Sequence, residues 1–322
     1  MRVLFITSNR LGDAVLSTGI LAHLVETLPD ARFTIACGPI PAPLFAAVPR
    51  LDEIIELRKG PRLAHWRRLL GQTMGHWWHM VVDLRGSATA WVLPTMRRRI
   101  FTAADRRSST GHRVEQLAAM MCVTPPPAPH LWLSPEAEQA AEELLGSDTR
   151  PLLAVGPTAN WMAKTWPAEC FTELARRLSA DGAPLAGARI LVAGAPNERL
   201  GAEPVLDAFA EAGAVDLIGT ATLPVLAACL ARATLYVGND SGLMHLAAGV
   251  GAPTLGLFGP SRDEHYRPWG ARCGFVRTEE SYDTLLNSRH FHPDPTESLM
   301  TGLSVEAAEL AARNVLTIRI LD

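Results

Sequence analysis

Tyr236-Val-Gly-Asn-Asp-Ser-Gly-Leu-Met-His-Leu-Ala-Ala-Gly-Val-Gly-Ala-Pro-Thr-Leu-Gly-Leu-Phe-Gly-Pro260 is the stretch whose reading decides the fold. An apolar run ends at Val237, and Gly238-Asn239-Asp240 makes a tight turn. Ser241 and Gly242 then open a helix that ends around Gly251-Ala-Pro253, and Thr254 to Phe258 is the next buried strand. Strand, turn, helix, strand is the unit of a doubly wound parallel sheet, in which ligands sit beyond the carboxyl ends of the strands. Free N–H groups at the helix start, with the positive end of its dipole, suit an anion such as a diphosphate. Gly242 has no side chain to keep a phosphate from the backbone. His245, four residues after Ser241, shares its helix face and could donate to a phosphate oxygen. Asp240 or Ser241 acting as a helix cap, with His245 as an ordinary buried histidine, is the plainer alternative.

Working outward, the second half repeats this alternation. Leu152–Val155, Arg189–Val192 and Val215–Ile218 also read as strands, giving five with Leu235–Val237 and Thr254–Phe258. Helical stretches are expected near 168–180, 198–212, 223–231 and 241–250, and Ser304 to Asn314 reads as a terminal helix that packs back on the first domain. In the first half, Val3–Ile6, Arg32–Ala36, Glu53–Leu57, Met80–Leu84 and Arg99–Thr102 read as strands. Leu16, Ile20, Leu24 and Leu28 mark one face of a helix that stops before Pro29. Thr-Pro-Pro-Pro-Ala-Pro-His, between Val123 and Ser134, sustains neither helix nor central strand. A helix follows with Ser134 as its cap, Pro135 at its first position, and Glu136 and Glu138 in its first turn. The expectation is α/β: two Rossmann-like parallel-sheet domains, 1–150 and 151–322, facing a cleft.

At 322 residues, with 48% hydrophobic and 20% charged residues, the chain can bury two cores. A net charge of −3 argues against nucleic acid as a partner. The cysteines, Cys37, Cys122, Cys170, Cys229 and Cys273, are odd in number and widely spaced, which fits a reducing compartment without disulfides or a zinc site. No signal peptide is read at Met1 to Thr7, and no apolar run approaches the ~18 residues of a membrane span. A cytoplasmic protein is expected.

The Asp240–Ala248 motif, followed by Leu257-Phe258-Gly259-Pro260, resembles the signature of the lipopolysaccharide heptosyltransferases, inverting GT-B glycosyltransferases of family nine that use ADP-heptose. The resemblance implies that Asp240, Ser241, Gly242 and His245 surround the donor's diphosphate and proximal heptose. The usual residue after the aspartate is Thr, and Ser241 keeps the hydroxyl. Arg2-Val-Leu-Phe-Ile-Thr-Ser-Asn-Arg-Leu-Gly-Asp13 is similar to the family opening, which makes Asp13 the expected catalytic base. By the same likeness Thr158 contacts phosphate, Lys164 holds the leaving diphosphate, and Glu198 holds the ribose. Order and spacing agree over most of the chain, except at 274–303.

Each of these residues has a plainer use: Asp13 as a helix cap, Lys164 as a solvated cation, and Glu198 as a first-turn acid favoured by the helix dipole. The chain has no Asp-x-Asp, and His76-Trp-Trp-His79 and His290-Phe-His292 lack companion ligands, so neither metal nor cofactor is expected. Arg62, Arg67, Arg68, Arg97–Arg99, Arg106, Arg107 and Arg113 suit a phosphate-bearing or acidic glycolipid acceptor, or peripheral contact with an anionic membrane. A nicotinamide oxidoreductase would need G-x-G-x-x-G after its first strand, and Ser8 to Asp13 does not provide it. The same fold with another nucleotide sugar or a protein acceptor, and a non-catalytic nucleotide-sugar binder, are the rival functions.

Overall fold

In the computed structural model, which describes residues 1–108, 110–287 and 296–318, every strand pairs parallel to its neighbours. The chain divides into two units, Met1–Ser134 and Pro135–Asp322.

The first unit holds β1 (Arg2–Ile6), β2 (Arg32–Cys37), β3 (Leu51–Glu56), β4 (Trp78–Asp83) and β5 (Thr95–Ile100), in the order β3-β2-β1-β4-β5. Central β1 is apolar from Val3 to Ile6 because both its faces are covered there: Val3 and Phe5 enter one buried cluster, Leu4 and Ile6 the other. The strand order reverses between β1 and β4, so the loops after these two strands diverge and leave a crevice.

The single helix expected over Leu16–Leu28 is two helices, Leu11–Leu16 and Thr18–Thr27. At the join, the Ser17 hydroxyl donates to the Ala14 carbonyl at 2.6 Å and the Thr18 hydroxyl to Val15 at 2.7 Å. Gly19 lets the proline-rich segment lie against the second helix: a Cβ there would sit 2.3 Å from the Pro127 carbonyl oxygen. The last strand starts at Thr95, four residues before the expected Arg99, because Thr95 pairs with Trp78 along the sheet edge.

The second unit holds β6 (Leu152–Gly156), β7 (Arg189–Gly194), β8 (Val215–Ile218), β9 (Leu235–Asn239), β10 (Thr254–Phe258) and β11 (Cys273–Arg277), in the order β11-β10-β9-β6-β7-β8. Its core gathers Leu153, Val155, Trp166, Phe171, Val237 and Leu255, each contributing about 1.5–3 kcal/mol by burial. The five expected strands are six among the described residues. β11 is half-buried at the sheet edge and carries Gly274, so it shows no apolar run.

The chain divides 16 residues before the expected boundary at Arg150, because the helix Pro135–Leu145 packs on the second unit's Leu223–Ala231. Arg232 donates to the Glu138 carbonyl at 3.3 Å and Arg189 to that of Leu145 at 2.6 Å, securing the helix at both ends. The terminal helix Val305–Thr317 packs on β11, β10 and the helix Ala168–Ser179 of its own unit.

Candidate active site

In the second sheet the order reverses between β9 and β6. The loop after β9 carries Asp240 and Ser241, and the loop after β6 carries Thr158 and Lys164. Lys164 Nζ donates to Asp240 Oδ2 at 2.5 Å, in a pair whose side chains are 23% and 8% exposed. An ammonium carries three protons, so Lys164 can serve Asp240 and still face an anion. Asn239, fully buried, accepts from the Trp166 backbone N–H at 2.9 Å, and the Trp166 indole N–H donates to the Leu303 carbonyl at 2.9 Å. These two bonds fix the loop that carries Lys164.

The helix Gly242–Gly249 begins at this point. Ser241 is its N-cap by backbone geometry, with φ −143° and ψ 170°, yet its side chain makes no cap hydrogen bond. Asp240 is engaged by Lys164. The capping reading of these two residues therefore does not hold, and neither covers the first-turn N–H groups. His245 lies one turn into the helix and is buried. Tyr236 Oη and Ser241 Oγ are buried and interact with each other, and the buried Asn239 Nδ2 makes no hydrogen bond among the described residues. Buried polar atoms short of partners are rare, and this cluster on one strand end and its turn suits a polar ligand.

One strand over, Glu198 Oε2 accepts from the Thr158 hydroxyl at 2.9 Å and from the Ala195 N–H at 2.9 Å. Glu198 thus anchors the turn after β7 and draws Thr158 toward it. The Tyr236 ring lies beneath, with its hydroxyl 2.1 Å from where a Cβ on Gly156 would stand and 2.4 Å from one on Gly238. Both positions require glycine. Burial pushes the Tyr236 phenol well above its ordinary value, so it is a neutral O–H at physiological pH.

In the first unit, Asp13 occupies the first turn of Leu11–Leu16, just after β1. The cap position is Arg10, so Asp13 is not a helix cap. It lines a pocket of about 250 Å³ with Thr7, Ser8, Ser17, Arg85, Arg106 and Arg113. Three cations face one carboxylate there. Arg85 follows β4, where the buried Asp83 carboxylate accepts from the N–H groups of Arg85, Gly86 and Ser87 at 2.8, 3.1 and 2.6 Å. Burial pushes the Asp83 carboxyl up, and hydrogen bonds from Ser87, Arg85 and Gly86 pull it down. The Arg85 guanidinium donates to Asn9 Oδ1 at 2.8 Å and lies 4.7 Å from the Trp66 ring centre. Arg106 and Arg113 both lie over Phe101, at 5.6 and 5.2 Å.

Residues 70–290, well over half of the chain, match Glycosyltransferase family 9 (heptosyltransferase). The chain belongs to glycosyltransferase family 9. It is 26% identical to lipopolysaccharide heptosyltransferase 2 of Salmonella typhimurium, over 88% of this chain and 89% of that protein. Among solved structures, it superposes with TM-score 0.80 on a family 9 glycosyltransferase from Veillonella parvula, with 23% identity and 98% and 97% of the two chains covered. The Escherichia coli heptosyltransferase WaaC with ADP-2-deoxy-2-fluoro heptose gives TM-score 0.68, with 18% identity and 98% and 99% covered. The two-sheet α/β fold and the family resemblance read from the sequence are both borne out.

In this family 9 chain, the residues singled out in the second half converge at the ends of three neighbouring strands, β9, β6 and β7. Lys164 meets Asp240 and Thr158 meets Glu198, with Ser241, Gly242 and His245 on the adjoining helix. Asp13 belongs to the other unit. Arg85, Asn239 and Tyr236 escaped the sequence reading, although Arg85 directly follows a strand assigned there and the carboxyl-end rule flags that position. Among the described residues no group of three or more His, Cys, Asp or Glu could hold a metal ion. His76 Nδ1 lies 2.7 Å from Arg2 Nη1, and Trp78 is buried; His290 and His292 lie outside the described residues.

Proposed function

We propose that this protein transfers the heptose of ADP-heptose, with inversion, to a lipid A-linked inner-core acceptor of lipopolysaccharide. The observation that carries this reading is the Lys164–Asp240 pair beside the uncapped start of Gly242–Gly249. A cation and a row of backbone N–H groups form a diphosphate cradle that needs no metal. The names of the relatives, which couple heptose, ADP and lipopolysaccharide, support the choice of donor and acceptor.

In the reaction, an acceptor hydroxyl oxygen bonds to the anomeric carbon as the bond from that carbon to the diphosphate breaks. Asp13 takes the hydroxyl proton. Lys164, His245 and the N–H groups at Ser241 and Gly242 stabilise the charge gathering on departing ADP. Thr158 contacts phosphate, Glu198 accepts from the ribose hydroxyls, and Asp240 orients the heptose. The arginines beside Asp13 fit an acceptor rich in phosphate or carboxylate. No helix among the described residues is long and apolar enough to cross a membrane. The reading places the enzyme in the cytoplasm, reaching its lipid-linked acceptor by peripheral contact.

The test is to supply ADP-heptose with the lipid-core acceptor and follow ADP release and the acceptor's mass. A one-heptose mass gain with inverted anomeric configuration, unaffected by a chelator, is expected. Preference for another nucleotide sugar, transfer to a protein, or ADP binding without acceptor-dependent release would overturn the reading.

A further inference from the structure

The geometry points to the outer edge of the first sheet, around β5, as a docking surface for a bilayer containing anionic phospholipid. The choice of a bilayer rests on the lipid-linked acceptor proposed above, while the surface is read from the residues themselves. β5 ends the strand order, so its outer side pairs with no strand among the described residues. On it and beside it, Met96, Trp91 and Val92 are 66%, 60% and 57% exposed, and Trp77, just before β4, is 72% exposed. Single exposed apolar side chains are ordinary, but a group of them marks an interaction surface.

The group is held together by backbone contacts. Arg98 donates to the carbonyls of Ala90 and Leu93 at 2.6 and 2.8 Å, tying the short helix Thr89–Val92 to β5. Met96 shares the strand face of Arg98. The Trp78 N–H donates to the Pro94 carbonyl at 3.1 Å, which brings the start of β4 to the same corner.

Charge completes the surface. Between Leu57 and Ile100 every charged side chain is basic except Asp83, which is fully buried. Arg97 and Arg99 are exposed, on the opposite strand face from Met96, and pair with no carboxylate among the described residues. With Thr27, Leu28 and Met96 they line a groove of about 590 Å³ along the edge. The whole chain carries −3, so this basic edge runs against its overall charge. Edge arginines also guard against strand-to-strand aggregation, but that role calls for no exposed tryptophan and methionine beside them. Arginine with interfacial tryptophan is the composition that lodges at an anionic headgroup layer.

Flotation with phosphatidylglycerol-containing vesicles and with phosphatidylcholine vesicles, without donor or acceptor, tests the inference. The wild type is expected on the anionic vesicles only, and to be released by salt. Arg97→Ala/Arg99→Ala should weaken binding about 30-fold, and Trp91→Ala/Met96→Ala about tenfold or more. Both variants should keep wild-type circular dichroism, and Trp91→Ala/Met96→Ala should keep wild-type turnover on a delipidated acceptor, since Trp91 and Met96 lie before and at the amino-terminal end of β5. Equal binding to both vesicle types, or variants that bind like wild type, would overturn it. So would a wild-type dimer that the substitutions dissociate without any vesicle binding, which would make the occupant a second copy. Failure of heptose transfer leaves the flotation result standing, so the two readings fail separately.

Discussion

Lys164 and Asp240, 76 residues apart in sequence, are bound to each other through Nζ and Oδ2 at 2.5 Å where the order of the second sheet reverses. The pair explains how an acid can stand beside an incoming diphosphate. With Asp240 neutralised, the field at the helix start stays positive. Nearly buried, Asp240 also depends on its partner for stability.

Lys164→Ala should therefore do two separable things. It leaves Asp240 uncompensated, costing about 2 kcal/mol in urea unfolding, less than for a fully buried pair because Lys164 is partly exposed. It also removes charge stabilisation from leaving ADP, lowering kcat/KM for the donor by about 10²–10³. Adding Asp240→Asn should recover most of the stability and none of the activity.

Asp13→Asn should lower kcat by about 10²–10⁴. ADP affinity, measured by calorimetry, should not change, because the donor-binding residues lie in the other unit. Near-normal turnover would remove Asp13 from the mechanism.

The three arginines beside Asp13 give a different signature. Arg113→Ala should raise the acceptor KM by about 10–100-fold, the worth of a charge-assisted hydrogen bond, and leave the donor KM alone. A parallel loss for an acceptor stripped of its acidic groups would contradict the assignment.

Gly156→Ala would press a methyl into the Tyr236 hydroxyl, at a cost of about 1–3 kcal/mol in unfolding free energy. Tyr236→Phe in the same protein removes the nearest atom, leaving the ring carbon at 3.0 Å, and should recover a large part of that cost. If the double variant is as unstable as Gly156→Ala, the contact does not set the requirement for glycine.

Alkaline stability should report on Cys37, whose thiol is pushed up to about 12 by burial first and Glu56 second. The folded state keeps a proton that the unfolded chain releases near pH 9. Stability is therefore intact below pH 9 and falls as pH rises from 9 toward 12. Cys37→Ala should flatten this decline by about 2 kcal/mol between pH 9 and 11 in urea unfolding.

What the sequence disclosed follows how each element earns its burial. β1, β6, β9 and β10 are covered on both faces, so their apolar runs announce them. β5 and β11 are edge strands, one written Thr-Met-Arg-Arg-Arg-Ile and the other half-buried, and composition hides both. The turn after β9 was legible because its strand–turn–helix order is local. The pairing of Lys164 with Asp240 was not, since it depends on β6 lying beside β9 across an insertion of two strands. Tyr236 was hidden for a similar reason: the space its hydroxyl fills exists only once Gly156 is brought over it.

The bond from the Trp166 N–H to Asn239 Oδ1 reaches beyond the two residues it joins. A cation on a roaming loop would have to surrender its freedom each time a nucleotide arrived, and affinity would suffer. Here that surrender happens once, when the chain folds. A rigid receptor of this kind should lose ADP affinity on Asn239→Leu through disorder in the segment that presents Lys164.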